Sequence, residues 1–145
     1  MTLHDVHKDG TNVDFIPSDG DVVAGAWASF VIPSEMMNMY YYNSSTADND
    51  EVNFPFRLGR GTYNISIVYR KFSDRGKLDV LLDNNIIINQ LDMYDAVGIS
   101  NVIHRESAVV IRHPTKTISL TANGKNAASS NYHVNCSLIS FRRVA

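Results

Sequence analysis

From Val52 to Leu58 every second residue is apolar: Val52, Phe54, Phe56 and Leu58 fall on one side of an extended backbone, with Asn53, Pro55 and Arg57 on the other. A period of two sends successive side chains to opposite faces. The pattern therefore specifies a half-buried β-strand and does not suit a helix, which needs apolar residues three and four apart. Pro55 has no amide hydrogen and places this strand at a sheet edge or beside a bulge. After Gly59-Arg60-Gly61 the same period returns in Tyr63, Ile65, Ile67 and Tyr69, which alternate with Asn64, Ser66, Val68 and Arg70, and again in Leu78, Val80 and Leu82. No window of a dozen residues shows helical spacing.

The remaining runs extend the pattern. Val22–Ile32 is apolar at both parities and reads as one strand buried between layers, and Met36–Tyr42 reads as an aromatic-rich strand before the polar loop Asn43–Asp50. Asp83-Asn84-Asn85 tolerates left-handed backbone, which predicts a hairpin into Ile86–Leu91. Val109–Ile111 and Ile118–Leu120 are short β-branched runs parted by His113-Pro114-Thr115, and Asn123-Gly124 is a turn signal. The last strand starts near Tyr132 with Tyr132, Val134, Cys136 and Leu138 on one face. Its apolar parity switches at Ile139 and Phe141, which predicts a bulge. Eight or nine antiparallel strands at short spacing predict an all-β fold, a jelly-roll β-sandwich. The expected division is a polar N-terminal arm, residues 1–20, and a sandwich domain, residues 21–145.

Composition limits what such a sandwich can do. A length of 145 residues suits one domain, and 44% hydrophobic residues suffice for a core. Thirteen Lys+Arg against fifteen Asp+Glu leave a formal charge of −2, without the cationic excess that nucleic acid demands. The single cysteine, Cys136, has no intrachain partner, and no Cys/His set has zinc spacing. No stretch approaches ~18 consecutive apolar residues, which excludes a membrane-spanning helix. Met1–Asp9 lacks the basic and apolar regions of a secretory signal, so synthesis in a cytoplasm is expected.

Little in the chain suggests catalysis. A G-x-S-x-G elbow is absent, and Cys136 lies on the expected core face as a structural thiol. Asp79 and Asp83 share a strand face four residues apart, but an outer, solvated face accounts for them better than a glycosidase pair does. No catalytic residue is assigned and the chain is read as a non-enzyme. His4-Asp5-Val6-His7, Asp19-Gly20-Asp21 and Asp48-Asn49-Asp50-Glu51 offer metal donors, yet none has the spacing of a known site, and no metal or cofactor is assigned. His104, His113 and His133 are scattered. Asn43-Ser44-Ser45, Asn64-Ile65-Ser66 and Asn135-Cys136-Ser137 match the glycosylation tripeptide, as an Asn-rich chain does by chance. Arg142-Arg143 is too short a basic cluster to attract nucleic acid or membrane.

Aromatic residues are the remaining lead. Trp27, Tyr40, Tyr41, Tyr42 and Tyr94 fall where strands meet loops, and flat rings stack on sugars or anchor protein interfaces. Neighbours on a strand face opposite ways, so three consecutive tyrosines cannot all point inward.

Gly61-Thr62-Tyr63-Asn64-Ile65-Ser66-Ile67-Val68-Tyr69, followed by Gly76-Lys77-Leu78-Asp79-Val80-Leu81-Leu82-Asp83, resembles the galactose-binding-like jelly rolls. Thr117–Leu120, Asn123–Asn126 and Ser129–Val134 look like the closing strands of that pattern, and the resemblance covers Trp27 to Phe141. Two branches are similar. One is the carbohydrate-binding module, by which Trp27, Tyr40, Tyr41, Tyr42 and Asn126 become candidates for holding a sugar. The other is the jelly-roll module of tailed-phage virion proteins, which Ala24–Phe30, Met36–Tyr42 and Gly124–Ser130 resemble. A chain that is nearly all one domain fits the second branch better. That resemblance implies a non-enzymatic bacteriophage virion structural protein: a capsid decoration (cement) or fibre protein, made in the host cytoplasm and located in the virion. As a homotrimer it would contact the major capsid protein or other virion proteins. The alternative is a carbohydrate-binding module in glycan or host-receptor recognition. The candidate partner-binding residues are Trp27, Tyr40, Tyr41, Tyr42, Tyr94 and Asn126.

Overall fold

The computed structural model describes residues 2–4, 12–16, 20–32, 37–42 and 48–145. Among these there are thirteen strands and no helix. In chain order they are β1 (Thr2–His4), β2 (Asn12–Ile16), β3 (Asp21–Ala24), β4 (Trp27–Ile32), β5 (Met37–Tyr42), β6 (Glu51–Leu58) and β7 (Gly61–Lys71). After them come β8 (Gly76–Leu82), β9 (Asn85–Asp92), β10 (Ile99–Ile111), β11 (Thr115–Lys125), β12 (Asn135–Cys136) and β13 (Leu138–Arg143). One five-stranded sheet has the order β1-β2-β13-β7-β10, a second has β3-β6-β11-β8-β9, and a three-stranded ribbon has β12-β5-β4. All of these strand pairings are antiparallel, and the fold is the expected jelly-roll β-sandwich.

Alternation in the sequence becomes alternation of burial. Val52, Phe54, Phe56 and Leu58 of β6 face Tyr63, Ile65, Ile67 and Tyr69 of β7 in one core, joined by Leu78, Val80 and Leu82 of β8. Phe15 of β2 meets the rings of Phe54 and Phe56 edge-on at 5.1 and 5.7 Å, and Phe141 of β13 lies 5.2 Å from Phe56. These contacts run from sheet to sheet, and edge-on pairs add to the gain from burial. The predicted hairpin is present: Asp83 and Asn84 have φ of 46° and 68°, the two left-handed positions of a type I′ turn. The irregularity expected near Pro55 lies between Thr115 and Thr117, opposite it on β11.

Several expectations need correction. Val22–Ile32 is two strands, broken at Gly25 (φ 96°), and Val22 and Val23 are 48% and 58% exposed instead of buried between layers. A glycine in left-handed backbone ends one strand and starts the other on a different sheet. Asn123-Gly124 is no turn, because β11 runs through it with a shift of register against β8 and Gly124 at φ 83°. The short run Val109–Ile111 is the end of a 13-residue edge strand, β10, bulged near Asn101 and Ala108 (φ 54° each). The last strand is divided: Ser137 donates its amide and hydroxyl to Val68 O, and the switch of parity at Ile139 follows. Among the described residues of the expected arm, β1 and β2 belong to the sandwich. β2 pairs with β13, and Val13 and Phe15 are fully buried.

Phe56 touches ring neighbours from both ends of the chain, so Phe56→Ala removes about 3–5 kcal/mol of stability. Urea unfolding checks this: the midpoint falls and the slope stays unchanged.

Candidate functional site

At one end of the sandwich, β7 passes into β8 through Phe72–Arg75, β9 into β10 through Met93–Gly98, and β11 into β12 through Asn126–Val134. The ribbon of β4 and β5 is attached at this same end, through Tyr40 and Tyr41 registered against Cys136 and Asn135 of β12. Trp27 is registered against Tyr42. Positions 40 and 42 therefore share one face of the ribbon and position 41 the other. The topology brings all the nominated residues, Trp27, Tyr40, Tyr41, Tyr42, Tyr94 and Asn126, to one end of the molecule.

Asn135 ties the ribbon to the loops. Its side chain is 1% exposed; Oδ1 accepts the Arg70 amide at 2.8 Å and Nδ2 donates to Arg70 O at 2.9 Å, so it replaces a missing ladder partner of β7. Its own amide reaches Sδ of Met93 at 3.5 Å. Next to Met93, Tyr94 bridges to Phe72 and its amide donates to Asp92 Oδ1 at 3.0 Å. The other oxygen of Asp92 accepts Nδ2 of Asn126 at 3.1 Å, and Oδ1 of Asn126 accepts the Ala128 amide. A continuous set of bonds thus joins β5, β12, the Met93–Gly98 loop and Asn126.

The aromatic rings here differ in what covers them. Arg70 lies 4.5 Å over Phe72, and a Cβ on Gly98 would come within 2.6 Å of the same ring. Nζ of Lys125 lies 5.5 Å over Tyr132 and donates to Ser129 O. Trp27 is half-buried against the core and donates its indole N–H to Ala24 O at 3.0 Å. Tyr94 is half-buried as well. Asn135, Asp92 and Phe72 were missed from sequence. Their roles depend on partners tens of residues away, and Asn135 stood out only as part of a chance glycosylation tripeptide.

The acidic residues serve the loops. Asp79 is 5% exposed and not on a solvated face: it accepts the Gln90 amide at 2.6 Å and Nδ2 of Asn123 at 2.8 Å. Asp83 accepts the amides of Lys116 and Thr117. Neither is arranged to act on a substrate. Asp48 receives the Gly124 amide, and buried Asp50 keeps one oxygen without a hydrogen bond. No three His, Cys, Asp or Glu among the described residues assemble as a metal site. His4 belongs to β1, while Asp5, His7, Asp19 and Asn43 lie outside the described residues.

Two outcomes follow from burial. Burial pushes the Cys136 thiol far above its usual range, and the thiolate is the nucleophile. The folded chain therefore resists iodoacetamide at pH 8, and unfolding in urea exposes one reactive thiol, countable by mass. Asn135→Ala removes both bonds to the half-buried Arg70 backbone and costs about 1–3 kcal/mol, read as a lower denaturation midpoint.

No family model and no curated protein matches the sequence. Solved structures match the fold. The CBM36-1 domain of a multidomain xylanase from the hindgut metagenome of Trinervitermes trinervoides superposes with a TM-score of 0.66 at 11% identity, over 92% of this chain and 98% of that one. Paenibacillus xanthan lyase matches with a TM-score of 0.69 at 16% identity, over 90% of this chain but 13% of the lyase. A carbohydrate-binding module, CBM36, in complex with calcium and xylotriose gives 0.59 at 12% identity, over 88% and 98%. These likenesses show a jelly-roll fold shared with carbohydrate-binding modules, and none of the three is a virion protein.

Proposed function

We propose that this chain is a non-catalytic carbohydrate-binding module that holds a polysaccharide at the loop end. The observation that carries the reading is the attachment of the tyrosine-bearing β5 through Asn135 to the Met93–Gly98 loop that holds Tyr94, and through Asp92 to Asn126 of the next loop. A sugar ring presents an apolar face and a polar edge. Aromatic rings take the first and amide or carboxylate groups the second. Loops already fixed by Asp92, Asn135 and Ser129 lose little freedom on binding, which favours affinity. The similar modules support this branch, and one of them holds xylotriose, which makes xylan the first ligand to try.

Calcium accompanies xylotriose in that neighbour, and among the described residues no three His, Cys, Asp or Glu side chains are gathered to hold it. Asp48, Asp79 and Asp92 are each engaged by protein N–H groups. Among the described residues, binding is therefore assigned to aromatic faces and amides. The homotrimeric virion protein implied by the second resemblance draws no support from the neighbours, and carbohydrate binding replaces it as the main reading.

Calorimetric titration with soluble xylan and with xylotriose tests the proposal. Tyr94→Ala, and the pair Tyr40→Ala/Tyr42→Ala, weaken binding about tenfold or more, as aromatic anchors do, with the unfolding midpoint unchanged and EDTA without effect. Lost stability with intact binding would place those rings in the core and sink the assignment. So would a failure of the chain to bind any polysaccharide in a wider screen.

A further inference from the structure

The end opposite the loops has a different chemistry. Here β6 turns into β7 through Gly59-Arg60, β10 into β11 through Arg112-His113-Pro114, and β13 finishes at Arg143. Arg57, Arg60, Arg112, Lys116 and Arg143 gather at this end of a chain whose formal charge is −2. Asp83 is the acidic side chain here among the described residues, and backbone amides of Lys116 and Thr117 already occupy it.

Arg60, Arg112 and Arg143 line one open hollow of about 370 Å³ together with Gly61, Thr62 and Ile111. Gly61 makes room for the third arginine: a Cβ there would lie 2.8 Å from Nε of Arg143. That Nε donates to Ala145 O at 3.1 Å, which holds the side chain across Gly61. Arg60 and Arg112 enter no ion pair among the described residues. Arg143 is already engaged at Ala145 O, while the charges of Arg60 and Arg112, brought to the same hollow, repel each other within a screening length of about 8 Å, and a bound oxyanion relieves that repulsion. The planar fork of each arginine matches carboxylate, sulfate or phosphate oxygens.

A single small anion gains little at such an exposed surface, whereas a polymer carrying repeated charges engages several arginines at once. No Phe, Tyr or Trp lines this hollow or the adjoining one of about 520 Å³ between Ile86, Ile87 and Val109, where His113 is the aromatic ring, so the extended stacking platform of a single-strand nucleic-acid site is not formed by these linings. We infer that this end is a second binding site, for the carboxylate or sulfate groups of an acidic polysaccharide. The choice of polymer rests on the carbohydrate-binding reading; the anion chemistry rests on the arginines.

Affinity electrophoresis of the full chain through gels containing polygalacturonate, carrageenan or neutral xylan tests it. At low salt a polyanion retards the chain, and the polymer that acts more strongly separates carboxylate from sulfate as the group recognised. R60Q/R112Q weakens that retardation about tenfold, the equivalent of two exposed ion pairs, and leaves retardation by xylan unchanged. G61A keeps every charge but displaces Arg143, and weakens polyanion binding about threefold, where general electrostatic attraction would not respond. R105Q/K77Q removes the same charge elsewhere and has no effect. Equal losses from R105Q/K77Q, tighter binding to duplex DNA, or no retardation by either polyanion would overturn the second site. If xylan still binds in that last case, the loop-end proposal stands. Polyanion binding that depends on Arg60 and Arg112 in a chain that ignores every neutral glycan supports the second site and counts against the loop end.

Discussion

Phe15, Phe141 and Tyr63 come from one sheet and Phe54 and Phe56 from the other, and their rings interlock between the layers. This cluster sets the strand parities around it. A slip of one residue in β6 would turn Phe54 and Phe56 to solvent and bring Asn53, Pro55 and Arg57 inward, so the register of every neighbouring strand is tied to it. Gly20 shows how tight the packing is: a Cβ there would come within 2.5 Å of the Phe54 ring. From this fixed middle the two ends of the sandwich diverge in chemistry, one built from loops and aromatic residues, the other from tight turns and arginines.

The alternating strands were legible because their signal is local. Val52–Leu58 and Tyr63–Tyr69 carry their burial pattern in their own letters, and Asp83-Asn84 carries its turn. The long edge strand β10 was hidden by its function in the sheet. Among the described strands β10 pairs with β7 alone, and His104, Arg105 and Glu106 stay near solvent, so no apolar alternation marks it. Gly124 misled for a related reason: the left-handed backbone that marks a turn also serves a bulge, and only the partner strand decides.

At the candidate site, residue type was readable and placement was not. Tyr40–Tyr42 and Asn126 stood out as groups suited to a ligand, but nothing in the letters says that Asn135 would join β5 to the loops, since its partner Arg70 is 65 residues away. Asp79 was misread because strand parity assigns it to an outer face, and parity does not reveal that Gln90 and Asn123 close over it. The arginines of the opposite end were equally invisible as a group. Arg60, Arg112 and Arg143 are scattered in sequence and meet only after three separate strands reach the same edge of the fold.

The pairing of β2 with β13 also governs how the molecule comes into being. Asp14 accepts hydrogen bonds from Ser140 and Arg142, more than 120 residues later, and Phe15 sits within the interlocked rings. During synthesis the first half of the core thus waits for the last strand, with Phe54, Phe56 and Tyr63 lacking their Phe141 partner in the meantime. Loop closure over such a span is slow compared with hairpins such as β8–β9. The nascent chain therefore passes through a stage of exposed aromatic surface, the kind of surface on which partly folded chains aggregate.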